Sequence, residues 1–244
     1  IFSQNKPEWF YVDFGAFANR GVTIPFYATS SPAQAQYIIN DAQIRYLFVG
    51  EQYQYDSAFS IFGFCSSLQQ LIIFDRSVVK DPRDVSSIYF DEFMAMGEGL
   101  PHNEVVEERT ARASYDDLAN ILYTSGTTGE PKAVMLSHRS LSCRLEWMEE
   151  QFGDGTDVIL QKTRNTFDVS VWELALPFAF GKTMCVLEDG KESVPEAIAG
   201  AIVRNRVTMV HFVPSMFAAF TAYLRRRRLE LPGLKYIILS GEVL

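Results

Sequence analysis

Residues 123–132 read Tyr-Thr-Ser-Gly-Thr-Thr-Gly-Glu-Pro-Lys, and this string is the most specific chemical feature of the chain. Thr124, Ser125, Thr127 and Thr128 supply hydroxyls, Gly126 and Gly129 supply flexibility, and Lys132 supplies an ammonium group. Glycine lets backbone N–H groups turn inward without a Cβ clash. Inward N–H groups together with hydroxyls form a concavity that holds oxyanions. Lysine adds a point charge suited to phosphate oxygens. The chemistry indicated is phosphate binding. The string is not the nucleotide P-loop G-x-x-x-x-G-K-[ST], because Ala133 follows the lysine where that pattern needs Ser or Thr. A flexible polar turn shares the composition, but not the ordered string.

Such a loop must be positioned by regular elements, and the hydrophobic pattern supplies them. Trp9, Phe10, Phe14 and Phe17 recur at helical spacing between Pro7 and Asn19. Ser31-Pro32 opens a second helix, which runs to about Asp41. Tyr46–Gly50 and Leu71–Asp75 are short apolar runs, as expected of buried parallel strands. From Arg76 to Asp117 the chain is polar and aperiodic, with a short helix near Phe90 to Met96 and an acidic patch at Glu104 to Glu108. This stretch is the expected subdomain junction. A strand enters at Asn120–Tyr123, and the phosphate loop is expected between it and a helix.

The alternation then resumes. Helices are expected over Leu141–Phe152, Val171–Phe180, Pro195–Val203 and Pro214–Leu224. Strands are expected at Val158–Gln161, Thr183–Leu187, Val207–Phe212 and Ile237–Leu239. Strand-helix-strand alternation predicts an α/β fold, with mostly parallel sheets in layers flanked by helices. The expected division is 1–117 and 118–244, each a partial α/β subdomain. Ligands of such sheets sit at the carboxyl ends of strands, here the loops after Tyr123, Gln161, Val210 and Leu239.

Composition excludes several functions. Of 244 residues, 48% are hydrophobic and 21% charged, as in ordinary folded chains. Thirty acidic against twenty-two basic side chains give a net charge of −8, which disfavours nucleic-acid binding. No apolar run is long enough for a membrane span. Cys65, Cys143 and Cys185 are odd in number and far apart, so no metal site and no disulfide framework is expected, and a reduced cytoplasmic setting is the default. The basic run Arg225–Arg228 reads as a solvated helix end favoured by the helix dipole. The chain opens at Ile1, and Tyr236–Leu244 reads as a strand and the start of its following loop. Both ends suggest part of a longer protein.

The loop TSGTTGEPK resembles the signature loop of the adenylate-forming superfamily: acyl-CoA synthetases, luciferases and the adenylation domains of nonribosomal peptide synthetases. The resemblance implies that the chain is part of the large N-terminal domain of that fold and that the loop holds the β- and γ-phosphates of ATP. It implies ATP and Mg2+ as cofactors and makes Lys132 and Thr128 the candidate catalytic groups. Where the family usually has glycine after the lysine, this chain has Ala133. If that position needed a positive φ, alanine would cost about 1 kcal/mol there.

The resemblance covers the chain but changes character. Residues 1–136, with Gly21–Tyr27 and Ser31–Gln34, resemble long-chain fatty acyl-CoA ligases. Residues 137–244 resemble peptide-synthetase adenylation domains through Leu160–Thr163, Phe167–Leu174, His211–Ser215 and Ser240–Leu244. Carried over residue by residue, the family's substrate pocket falls on Asp168, Val169, Trp172, His211, Ile238 and Ser240, a set similar to that of serine-activating domains. The resemblance assigns Asp168 to the substrate α-ammonium group, as a partly buried carboxylate in need of a cation. An N-terminal helix cap is the competing role. Val169 and Trp172 would narrow the pocket, and His211 and Ser240 would bond a hydroxyl. Gly241, Glu242 and Val243 match a loop that contacts adenine in relatives.

The implied reaction is attack of a substrate carboxylate on the α-phosphate of ATP, giving an acyl-adenylate and pyrophosphate. A carrier-protein phosphopantetheine thiol, or coenzyme A for an acyl-CoA ligase, then takes the acyl group. L-serine is the expected substrate, a long-chain fatty acid the alternative, and an inactive nucleotide-binding fragment the second alternative. A small C-terminal domain with a further lysine is expected beyond Leu244.

Overall fold

The structure is a computed structural model that describes all residues except 100–103, 126–130 and 243–244, with Ser125 described for its backbone alone. The chain divides into two compact units, Ile1–His138 and Arg139–Leu244. Among the described residues no helix is long and apolar enough to cross a membrane.

The first unit opens with α1 (Pro7–Ala18) and α2 (Pro32–Asp41). Ser31 caps α2 as its sequence predicts: the Gln34 N–H donates to Ser31 Oγ at 3.3 Å, and the Ser31 N–H donates to Gln34 Oε1 at 2.9 Å. The apolar runs form a parallel sheet of β1 (Tyr46–Val49), β2 (Gln70–Ile73) and the short β3 (Ile88–Tyr89), in that order. Between β1 and β2 lies α3 (Gln52–Ile61), for which the sequence gives no apolar stripe. Its buried face carries Gln54 and Ser57 beside Tyr55, Ala58 and Ile61, so the hydrophobic period is interrupted. The Gln54 amide is satisfied there by donating to the Ala28 carbonyl at 2.7 Å. Phe2, Phe26, Ile39, Leu47, Val49, Leu71 and Ile73 share one core with this helix.

The polar excursion holds α4 (Phe90–Ala95) and α5 (Glu104–Ala111); α5 buries no residue, and its acidic patch lies on that helix. The strand expected at Asn120–Tyr123 is the longer β4 (Leu118–Ser125). It does not lead into a helix. It pairs antiparallel with β5 (Pro131–Ser137), so the phosphate loop joins the two arms of a hairpin. Asn120 donates from Nδ2 to Thr23 Oγ1 at 2.6 Å, which ties β4 to the first unit. The segment expected to open the second subdomain is therefore grouped with the first unit.

The second unit alternates as the sequence predicts: α6 (His138–Phe152), β6 (Val158–Gln161), α7 (Asp168–Ala179), β7 (Thr183–Val186), α8 (Pro195–Asn205), β8 (Met209–Phe212), α9 (Pro214–Arg227) and β9 (Tyr236–Leu239). The four strands are parallel in the order β7-β6-β8-β9. Successive strand residues face opposite sides. Ile159 and Met209 join Leu145 and Met148 of α6 and Trp172 and Leu176 of α7 in one cluster. Leu160, Val210 and Phe212 join Ile198 and Ile202 of α8 and Phe220 of α9 in another. From β6 the chain moves outward to β7 and then returns to the other side of β6 for β8. That reversal is a topological switch point, where open α/β sheets bind ligands beyond the strand ends.

Candidate functional site

Of the phosphate-loop residues, Thr124 and Lys132 are described at the ends of β4 and β5 that face each other. Thr124 is the cross-strand partner of Lys132, and both side chains are exposed. Directly opposed residues of an antiparallel pair share a face, so a hydroxyl and an ammonium group stand side by side there. Gly126, Thr127, Thr128 and Gly129 lie outside the described residues, as does Val243.

Ala133 pairs with Tyr123 inside β5 and is absent from the residues with positive φ. The position needs no left-handed backbone, and the expected cost of alanine does not arise. Ala133→Gly is expected to destabilise the hairpin by about 0.5–1 kcal/mol, because glycine in a strand loses more conformational entropy, and to leave nucleotide affinity unimproved. Urea denaturation and ATP titration of the two forms check this.

In the second unit the predicted pocket residues converge at the switch point. His211 is the Cα partner of Ile238 across β8 and β9. Val169 and Ile238 pack on the cluster that contains buried Trp172. The His211 ring lies 6.4 Å from the Trp172 ring at 86°, an edge-to-face contact. Ser240, just past β9, has its Oγ 2.9 Å from His211 Nε2.

Asp168 differs from expectation. It is the first residue of α7, its side chain is exposed, and it makes no ion pair among the described residues. Its Oδ1 accepts the Val169 N–H at 2.9 Å. A carboxylate in the first turn is stabilised by free N–H groups and the helix dipole, so it can stand in solvent without a cation. The residue preceding it, Phe167, is the N-cap and makes no side-chain capping bond.

Behind His211 lies a buried polar network that the sequence reading did not assign. Glu173, one turn and a half along α7 from Asp168, is 0% exposed. Its Oε2 accepts the Lys162 N–H at 3.1 Å and the Thr163 N–H at 2.9 Å, and its Oε1 accepts the Thr163 hydroxyl at 2.6 Å. Thr163 Oγ1 in turn stands 3.4 Å from His211 Nδ1. Burial raises the Glu173 carboxyl above the usual carboxylate range, opposed by the Thr163 hydroxyl and by Lys162. Burial pushes His211 down to about 4, with Lys162 adding to the effect, so its imidazole is neutral at pH 7. The Lys162 amine is itself buried, 3.4 Å from Met216 Sδ and 4.9 Å from the Phe212 ring centre, and burial lowers its pKa. Gln161 orders the same loop by donating to the Thr163 carbonyl at 2.8 Å and to Asn165 Oδ1 at 3.0 Å. The one sequence signal for this network is the polar run Gln161-Lys162-Thr163 at the end of an otherwise apolar strand.

Gly241 and Glu242 close the far side of this strand end. Gly241 has φ +89°, and a Cβ there would come within 3.2 Å of Val213. The turn it permits lets Glu242 accept the Ser215 N–H and hydroxyl, each at 2.9 Å, in the first turn of α9. Among the described residues no group of three or more His, Cys, Asp or Glu could hold a metal ion.

Comparison with known proteins agrees with this architecture. The chain is 46% identical over 131 residues to zwittermicin A synthase ZmaJ of Bacillus cereus, a match covering 52% of this chain and 25% of that protein. It is 42% identical over 129 residues to enterobactin synthase component F of Escherichia coli (strain K12), covering 52% of this chain and 10% of that protein. The chain thus spans a quarter or less of these curated relatives. The crystal structure of VinN superposes with a TM-score of 0.73 at 20% identity, covering 99% of this chain and 54% of that one, a likeness of fold. A family profile described as AMP-binding enzyme matches residues 1–244. With its α/β sheets, its hydroxyl-rich loop and a profile match along its whole length, the chain belongs to the AMP-binding enzymes, the adenylate-forming superfamily.

Proposed function

We propose that the chain is part of an AMP-forming ligase that activates a small hydroxylated amino acid, L-serine, as its adenylate with release of pyrophosphate. The observation that carries the substrate reading is the His211–Ser240 pair, 2.9 Å apart beside buried Trp172 at the ends of β8 and β9. A site that turns a buried imidazole and a half-buried hydroxyl toward a substrate hydroxyl disfavours substrates lacking one, because those groups would be left unpaired. Val169, Trp172 and Ile238 limit the side chain to a short one. Asp168, exposed and with its Oδ1 on the Val169 N–H, is the group for the α-ammonium ion.

Thr124, Ser125, Thr127, Thr128 and Lys132 would hold the departing pyrophosphate, and Gly241, Glu242 and Val243 would approach adenine. The exposed Thr124–Lys132 pair fits a phosphate group. Magnesium, when bound, neutralises phosphate charge and would be held through the phosphate oxygens rather than by a cluster of protein ligands. Reactions of this kind depend on positioning and charge neutralisation. The aminoacyl group would pass to a carrier-protein phosphopantetheine thiol, in keeping with synthase relatives at 42–46% identity.

A second reading, a fatty acyl-CoA ligase, is favoured by the wording of residues 1–136 and by curated matches that cover only 52% of the chain. ATP–pyrophosphate exchange by the intact protein separates the two. Exchange dependent on L-serine and weak with L-alanine is expected; exchange driven by palmitate and not by any amino acid would refute the serine reading.

A further inference from the structure

The polar network behind His211 has a direction, and Glu173 sets it. The Glu173 Oε2 is occupied by two backbone N–H donors, from Lys162 and Thr163. Its Oε1 lies 2.6 Å from the Thr163 hydroxyl, the length of an O–H group donating to a carboxylate. The Thr163 proton is therefore committed to Glu173, and Thr163 Oγ1 presents lone pairs to His211 Nδ1, 3.4 Å away. A neutral imidazole carries one N–H, and its place follows the partner able to accept it. An acceptor at Nδ1 puts the proton there and leaves Nε2 as a lone pair facing the Ser240 hydroxyl at 2.9 Å.

We propose that Glu173, acting through the Thr163 hydroxyl, is a positioning residue that fixes His211 as the Nδ1–H tautomer, so that Ser240 donates to Nε2 and its oxygen is left to accept a hydrogen bond from the substrate hydroxyl. The last step rests on the serine reading; the tautomer assignment does not. Every proton in the chain then runs one way: substrate hydroxyl to Ser240, Ser240 to His211, His211 to Thr163, Thr163 to the carboxylate. Reversing the order at Glu173 reverses what Ser240 offers the substrate. The arrangement also explains why a fully buried carboxylate occupies α7 beside the pocket: an uncharged acceptor is not bound to receive the Thr163 proton.

Nitrogen-15 spectra of the histidine-labelled intact protein test this. The chain holds three histidines, so the His211 signals are assigned by their loss in His211→Gln. A protonated Nδ1 and an unprotonated Nε2 at neutral pH are expected; the reverse pattern overturns the proposal. In Glu173→Gln, the amide oxygen takes the two backbone N–H donors and the NH2 group donates to Thr163. That frees the Thr163 proton for His211 Nδ1, and the tautomer is expected to invert. An unchanged tautomer overturns the proposal, because a merely structural Glu173 would leave it unmoved. Thr163→Val is expected to abolish the Nδ1–H preference and to lower the serine-over-alanine ratio in pyrophosphate exchange roughly fivefold, the worth of one ordinary hydrogen bond; Thr163→Ser is expected to restore both. If Thr163→Val does not fold, the spectra of the parent and of Glu173→Gln decide. The expected spectra without any serine-dependent exchange would overturn the substrate reading and uphold the tautomer assignment.

Discussion

Asp168→Ala is expected to abolish serine-dependent pyrophosphate exchange in the intact protein while leaving the fold and ATP affinity intact. Removing one partner of a desolvated, hydrogen-bonded charge pair costs about 2–5 kcal/mol, which is roughly thirty-fold to several thousand-fold in kcat/KM at tenfold per 1.4 kcal/mol. The cost falls on the complex because Asp168 is exposed and unpaired with any cation in the chain's own described structure. Its structural contribution is that of one carboxylate in a helix first turn, about 0.3–1 kcal/mol. Asp168→Asn separates the two roles further, since asparagine still accepts the Val169 N–H but cannot neutralise an ammonium ion. Full exchange activity in Asp168→Ala would reduce Asp168 to a helix-turn residue and remove the argument for a charged amine in the substrate. Retained palmitate activation in the same variant would point to the acyl-CoA ligase reading.

How far the sequence carries depends on whether a residue's environment is local. The strands Gln70–Ile73 and Val158–Gln161 are legible because parallel strands buried on both faces are near-continuous apolar runs. The α2 cap is legible because Ser31 and Gln34 satisfy each other within one turn. Helix α3 is hidden because Gln54 on its buried face is satisfied by the Ala28 carbonyl, a partner distant in sequence. Strand β5 is hidden because Val134 and Met135 are consecutive and both exposed, at 45% and 66%, so no inward-outward alternation marks the hairpin arm. The proposed pocket residues Val169, Trp172, His211, Ile238 and Ser240 are read from family resemblance, and α7, β8 and β9 bring them close together. Glu173 is not legible: a glutamate in a helix reads as surface, and only the packing of α7 over the end of β6 reveals it as fully enclosed.

That enclosure makes Glu173→Ala the substitution with the largest expected effect on stability. Truncation leaves three donors in a buried site without their acceptor: the Lys162 N–H, the Thr163 N–H and the Thr163 hydroxyl. Each buried donor left unsatisfied costs about 1–3 kcal/mol, though contributions at one site do not add fully. The substitution also removes the negative charge nearest the buried Lys162 amine, whose pKa burial already lowers. Against this stands one gain, the relieved desolvation of a carboxylate whose pKa burial raises. Removing one member of such a buried charged network costs about 3–5 kcal/mol, so the donors outweigh the relief. Urea denaturation followed by near-ultraviolet circular dichroism is expected to show a loss of that size, with a lower midpoint at a similar slope. Glu173→Gln keeps an oxygen on the two backbone donors and is expected to lose less than half as much. A loss below about 1 kcal/mol in Glu173→Ala would mean that water replaces the carboxylate, and that the orientation of His211 does not depend on this side chain.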